Sequence, residues 1–375
     1  MNVIFTCGGT GGHINPAIAV ANILKERHPD SNILFVCSKG KIEEELVSKA
    51  GYQLHTIFAA GLSRELNWAG IKQNVRAISY VLRSLGDCKK VIRDFKADAV
   101  VGTGGYASFP ALLAANMLGV PTCVHEANAM PGLTTRMIAD RVDRILVCFP
   151  ESAKYYRHPE KVEVVGMPVR REFIFTKRED ARRELGLDER PLIVSAFGSQ
   201  GAKVMNEVVA DLFKLEKDAE YPYQHIHATG SYGWEWMPDL VREKGVDLTE
   251  NKGLTMQQYI YNMPTVMAAA DVIISRAGAS TCNEIAASGT PCVLIPSPNV
   301  TDNHQEKNAR ALTENGGGVL ILENDCTAEV MMKEVSALLG DEDRRNKMRT
   351  VLNKLCVHDS AERLCDIITQ LVRRK

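Results

Sequence analysis

His13 closes a glycine-rich run, Gly8-Gly9-Thr10-Gly11-Gly12-His13, that follows a short apolar stretch. An imidazole titrates near neutrality, so at the mouth of such a turn it can take a proton from an attacking hydroxyl; it can equally cap the helix that follows. The glycines let the chain turn tightly and bring backbone amides close to a ligand, and a helix start favours anionic groups. The run is not G-x-G-x-x-G. No acid ends the next apolar run (Val36-Cys37-Ser38-Lys39) to hold a dinucleotide ribose, which argues against a dehydrogenase.

Similar loops recur along the chain. Phe197-Gly198-Ser199-Gln200-Gly201-Ala202-Lys203 offers a serine and small-residue amides to a phosphate, or an ordinary N-cap serine. Arg276-Ala277-Gly278-Ala279-Ser280-Thr281 leads to Glu284, a carboxylate suited to a ribose diol, although Thr281-x-x-Glu284 alone reads better as a capping box. Asp302 to Asn308 is dense in hydrogen-bonding side chains. In the first half, Gly102-Thr103-Gly104-Gly105-Tyr106 and His125-Glu126-Ala127-Asn128-Ala129-Met130-Pro131-Gly132 also follow apolar runs. Asp341-Glu342-Asp343 sits in a charged segment, where a solvated helix start explains it better than a metal.

These loops need strands and helices to place them. Strand candidates are 2–6, 33–37, 99–102, 121–124, 145–147 and 162–165, then 192–197, 225–229, 272–275, 292–295 and 319–322. Apolar without alternation, they read as parallel strands covered on both faces. The first helix is expected from about Pro16 to His28, with the proline in its first turn. The β–α rhythm predicts doubly wound α/β architecture, with ligands beyond the carboxyl ends of the strands. A charged stretch after Val165 marks a break, beyond which the pattern begins again at Pro191. At 375 residues two domains are expected.

Apolar residues make up 45% and charged residues 24% of the chain, and the net charge of −1 gives no reason to expect nucleic acid. The ten scattered cysteines form no C-x-x-C pair and fit a reducing compartment. No leader or spanning segment is evident, so a protein neither secreted nor membrane-crossing is expected. Residues 66–93 carry Trp68, Ile71, Val75, Ile78, Leu82 and Leu85 at helical spacing among Lys72, Arg76, Arg83, Lys89, Lys90 and Arg93. Core packing is the default expectation for that stripe, membrane contact the alternative.

Six ordered motifs together resemble the MurG family: GGTGGH at 8–13, TGGYAS at 103–108, HEANAMPG at 125–132, GSQGA at 198–202, RAGAST…E at 276–284 and DNHQEKNA at 302–309. Two positions depart from the family pattern. Phe197 stands where a glycine is usual, and Ala127 where glutamine often follows His-Glu. The resemblance implies a GT-B fold of two Rossmann-like domains facing across a cleft. Residues 1–165 would serve the acceptor and membrane side and 166–358 the donor, with a helix in 359–375 returning to the first domain. It implies an inverting transfer of N-acetylglucosamine from UDP-N-acetylglucosamine to the C4 hydroxyl of the muramyl sugar of lipid I, giving lipid II, without metal or cofactor. Thr10, Gly11, Gly12, Asn128, Arg170, Ser199, Gln200, Gly201, Ile260, Ala279, Ser280, Thr281, Cys282, Asn283, Glu284 and Gln305 would contact the substrate. His13, Tyr106 and Glu126 would be catalytic or acceptor-side. Implied partners are anionic membrane lipids and other cell-wall synthesis proteins, at the cytoplasmic face of the membrane. The competing readings are another GT-B enzyme, such as a glycolipid glucosyltransferase or sugar-nucleotide epimerase, and a non-catalytic nucleotide-sugar binding protein.

Overall fold

The computed structural model describes residues 1–8, 11–59, 68–250 and 253–373. The chain divides into two units, Met1–Val169 with Asp359–Lys375, and Arg170–His358. The sequence break placed 166–169 with the second unit. The structure keeps them in the first, because the amides of Val165 and Gly166 both bond the Val147 carbonyl and the buried His125 Nε2–H donates to Gly166 O at 2.8 Å.

In the first unit the order is β1 (Asn2–Cys7), α1 (Gly11–Arg27), β2 (Asn32–Ser38), α2 (Lys41–Lys49), β3 (Gln53–Ile57), α3 (Trp68–Asp94), β4 (Ala99–Gly102), α4 (Ser108–Met117), β5 (Thr122–Glu126), α5 (Leu133–Ala139), β6 (Arg144–Val147) and β7 (Val162–Val164). Among the described residues these strands form one parallel sheet, ordered β3-β2-β1-β4-β5-β6-β7. The order reverses direction between β1 and β4, so the loops after those two strands open the crevice where such sheets bind ligands. Val3, Phe5, Ile4, Val100 and Val101 are buried on the two faces of the sheet, which is why the central strands read as unbroken apolar runs.

The second unit has α6 (Glu172–Phe175), α7 (Arg178–Glu184), β8 (Leu192–Ala196), α8 (Lys203–Asp218), β9 (Gln224–Ala228), α9 (Gly230–Gly233), α10 (Met237–Glu243), β10 (Leu254–Gln257), α11 (Met263–Ala269), β11 (Val272–Ser275), α12 (Ala279–Ser288), β12 (Cys292–Leu294), α13 (His304–Thr313), β13 (Gly318–Leu320), α14 (Ala328–Gly340) and α15 (Glu342–Leu355). Its parallel sheet is ordered β10-β9-β8-β11-β12-β13, with the reversal between β8 and β11. The loops after these strands are those beginning at Phe197 and Arg276. The last helix, α16 (Ser360–Arg373), packs on α1 of the first unit. It buries Leu364, Cys365, Ile368 and Leu371 at helical spacing, and Arg27 pairs with Asp366 at 2.7 Å.

Three expectations from sequence need correction. Helix α1 begins at Gly11, not Pro16, so the proline lies inside it and leaves the Gly12 carbonyl without its i+4 amide. Strands β3 and β10 carry no apolar run and went unrecognised, because each is an outer edge whose residues are mostly only part-buried. Most of the described apolar stripe on α3 is not core; only Leu85 packs, part-buried, against the core. Trp68 is 84% exposed, Val75 63% and Leu82 67%, while the buried face is Ala77, Ser84, Cys88 and Ile92. Lys72, Arg76 and Arg83 are exposed with the stripe.

Candidate active site

In the first unit, starting α1 at Gly11 puts His13 on the first helical turn rather than on a free loop. Its Nδ1 lies 3.0 Å from the Gly8 carbonyl, which can only accept. The neutral ring therefore carries its proton on Nδ1 and its lone pair on Nε2, the form a general base requires. Thr103 Oγ1 donates to the His13 carbonyl at 2.7 Å and ties the β4 loop to the same turn. That loop depends on its glycines. A Cβ on Gly104 (φ +110°) would stand 2.6 Å from the His13 ring, and one on Gly105 (φ +82°) 2.1 Å from Gly8 O. Tyr106 follows directly and is exposed.

The loop after β5 is organised by Glu126. One carboxylate oxygen accepts from the Asn128 amide and from Asn128 Nδ2, both at 3.0 Å, and the other from the Gly132 amide at 2.9 Å. Glu126, expected to be catalytic or acceptor-side, is buried, and its carboxylate shapes its own loop and fixes Asn128. Its neighbour His125 is fully enclosed, and burial lowers its pKa. Ala127 is buried. Gly11 and Gly12 lie beside His13; Thr10 falls outside the described residues.

In the second unit, the loop after β8 bends at Gly198 (φ +93°) and Gly201 (φ +80°). It is joined to the start of α9: the amides of Ser231 and Tyr232 donate to the carbonyls of Ser199 and Gln200, each at 3.1 Å. A Cβ on Gly201 would stand 2.0 Å from Thr229 O, and one on Gly230 2.0 Å from the Gly201 nitrogen, so these backbones meet only because both residues are glycine. Ala202, not Ser199, precedes α8, and no side chain caps that helix. Ser199 and Gln200 stay exposed. Phe197, the departure at this loop, is buried in the core with its ring against that of His227.

Helix α12 begins at Ala279 behind Gly278, again without a side-chain cap, so Thr281 is its third residue and the capping-box reading fails. Glu284 is instead set deep enough that desolvation pushes its pKa up to about 7 against the opposing pull of Arg170. Arg170 is exposed and lies over the Phe173 ring. Ser280 and Asn283 are half-buried at the same helix start, and Asn283 Nδ2 donates to Ala279 O at 2.8 Å. Cys282 is fully buried and Ile260 nearly so; their side chains belong to the core, which leaves only their backbone for a ligand. Gln305 Oε1 accepts from the Ser297 amide at 2.9 Å and pins the loop before α13, a helix that also starts without a side-chain cap.

Sequence reasoning missed one positioning amide, Asn206, and one glycine, Gly230, and named Asn308 only as part of the polar run 302–308. Asn206 donates to Thr229 O at 2.8 Å, and Asn308 to Ala277 O at 3.2 Å; both are buried. Gly230 had a visible signal, because Thr229-Gly230-Ser231 is a small-residue run after an apolar strand. Asn206 had none, since a helical asparagine does not reveal which carbonyl it meets.

Residues 3–147 match the glycosyltransferase family 28 N-terminal domain and residues 192–364 the C-terminal domain of the same family. The chain is 37% identical to the UDP-N-acetylglucosamine–N-acetylmuramyl-(pentapeptide) pyrophosphoryl-undecaprenol N-acetylglucosamine transferase of Acetivibrio thermocellus, over 100% of this chain and 99% of that one. It is 40% identical to the enzyme of that name from Thermoanaerobacter sp. X514, over 99% and 100%. The crystal structure of Acinetobacter baumannii MurG superposes with a TM-score of 0.78 at 26% identity, covering 98% of this chain and 99% of that one. With two parallel Rossmann-like sheets, loops at both switch points and similarity along its whole length, the chain belongs to the MurG family of glycosyltransferase family 28.

Proposed function

We propose that this protein transfers N-acetylglucosamine from UDP-N-acetylglucosamine to the C4 hydroxyl of the muramyl sugar of lipid I, forming lipid II with inversion at C1. The observation that carries the reading is in the second unit. Helices α8, α12 and α13 begin, without side-chain caps, after the carboxyl ends of strands of one sheet, and α8 and α12 follow the two strands at its switch point. Amides there suit a diphosphate and its charge as a leaving group. Ser199, Gln200 and Gly201 with the first turn of α12 would take the diphosphate. Glu284, once ionised, would accept from ribose hydroxyls, and the Ile260 backbone would meet the base. Arg170 and Gln305 would complete the donor contacts. Nε2 of His13 would take the proton of the attacking hydroxyl, with Gly11, Gly12, Asn128 and Tyr106 placing the sugars and Glu126 holding Asn128.

The decisive experiment is a transfer assay with defined UDP-sugars and a lipid I analogue. Formation of the β-1,4-linked disaccharide lipid from UDP-N-acetylglucosamine supports the reading. Preference for UDP-glucose, epimerisation without acceptor, or binding without turnover would reject it.

A lipid-linked acceptor has to be met at a membrane. Among the described residues no helix is long and apolar enough to cross one. The outward stripe of α3, with Lys72 and Arg76 beside Trp68, Ile71 and Val75, supports peripheral attachment to anionic lipid at the cytoplasmic face. Vesicle sedimentation checks this: reversing Lys72 and Arg76 should release the protein, and binding indifferent to that change, to salt and to anionic lipid would refute it. Association with other cell-wall synthesis proteins at that surface is part of the same reading.

A further inference from the structure

Below the β8 and β9 loops of the second unit lies a polar chain that an apolar core has no need for. Ser195 on β8 stands opposite His227 on β9, two residues along from His225. His225 Nδ1–H donates to Glu216 Oε1 at 2.8 Å, and the Ser195 hydroxyl is hydrogen-bonded at 2.7 Å to both His225 Nε2 and His227 Nδ1. All four residues are fully buried. Despite the serine–histidine–carboxylate order, Ser195 reaches no substrate; its burial excludes a nucleophile. Such a network is costly to bury, and what it gives in return is a single fixed arrangement of the elements it joins.

Those elements lead straight into the proposed diphosphate loop. Ser195 lies two residues before Phe197 and four before Ser199. His227 lies two before Thr229, whose carbonyl faces Gly201 and is held by Asn206 at 2.8 Å. The Phe197 and His227 rings are 6.2 Å apart, linking the network to the start of the loop. Glu216 adds the far end of α8, the helix whose uncapped start faces the same loop. We propose that Glu216, His225, Ser195 and His227 are positioning residues for donor binding, fixing the ends of β8, β9 and α8 so that the Ser199–Gly201 amides keep their aim at a diphosphate. This rests on the donor reading of that loop.

The test is calorimetric binding of UDP to the full chain, without acceptor, well below the melting temperature. Ser195→Ala and His227→Phe should each weaken UDP binding about tenfold, the loss of one buried hydrogen-bonded link. Ser195→Thr and His227→Asn, which keep the hydroxyl and a donor near the Nδ1 position, should stay within about twofold of wild type. In transfer assays the loss should appear in KM for the UDP-sugar and not in KM for the acceptor. Leu338→Ala, a buried deletion on α14, serves as a control that lowers melting temperature and leaves UDP binding unchanged. Wild-type protein that binds no UDP refutes the donor reading itself. Wild-type binding with equal affinity in Ser195→Ala and His227→Phe, or losses matched by Leu338→Ala at equal destabilisation, refutes the positioning role.

Discussion

Replacing Glu284 with glutamine should stabilise the free protein and weaken its hold on UDP. The carboxyl is moved from its ordinary 4.5 to about 7 by burial. As pH rises past 4.5 the unfolded chain ionises this group while the folded one does not, so wild type loses stability up to about pH 7 and levels off beyond. At about 1.4 kcal/mol per pH unit of displacement, the cost is about 3 kcal/mol at pH 8 and under about 1 kcal/mol at pH 5. Glutamine fills the same space and never ionises. Glu284→Gln should therefore gain about 2 kcal/mol on wild type between pH 5 and pH 8. Urea unfolding followed by tryptophan fluorescence suits the measurement, because two of the three tryptophans, Trp234 and Trp236, lie in the second unit. If the ionised carboxylate accepts from ribose hydroxyls, wild-type UDP affinity should rise about tenfold from pH 6 to pH 8 as the group ionises, and the variant's should stay weak and flat. Parallel stability–pH curves for the two proteins would refute the assignment of a desolvated carboxyl at Glu284.

His13→Ala should lower kcat by about 10²–10⁴-fold with UDP binding intact; near-normal transfer to a lipid I analogue would remove His13 as the base. Gly201→Ala places a methyl 2.0 Å from Thr229 O at φ +80°, so it should cost about 1–3 kcal/mol and weaken UDP binding. Unchanged melting and affinity would show that the joined loops give way freely. Burial lowers the His227 pKa to about 3, so the unfolded chain takes that proton first as pH falls below about 6.5. Stability should then drop by up to about 1.4 kcal/mol per pH unit down to about pH 3. His227→Asn should flatten that part of the acid limb, and an identical slope in the variant would contradict it.

The sequence by itself determined the parallel α/β class, because strands buried on two faces must be apolar throughout, and the central strands are. It also pointed to the glycine loops at 8–13, 103–106 and 198–201, since only glycine permits the close approaches at Gly104, Gly105 and Gly201, but it passed over the Thr229–Ser231 turn that meets Gly201. Edge strands β3 and β10 escaped notice because a half-accessible strand needs no apolar run. The start of α1 was misplaced because a proline inside a helix breaks a local rule that tertiary packing overrides. Tertiary structure alone decided what each polar group does. Glu126 shapes its loop because its own amides surround it, Glu284 is desolvated by its burial on α12, and Trp68, Ile71, Val75 and Leu82 of α3 face outward because Ala77, Ser84, Cys88 and Ile92 form the side turned to the core. Ser195, His225 and His227 read as ordinary strand residues until the fold brings Glu216 to them. The sense in which a side chain points, and the partner it meets there, depends on contacts distant in sequence, and no local pattern carries that information.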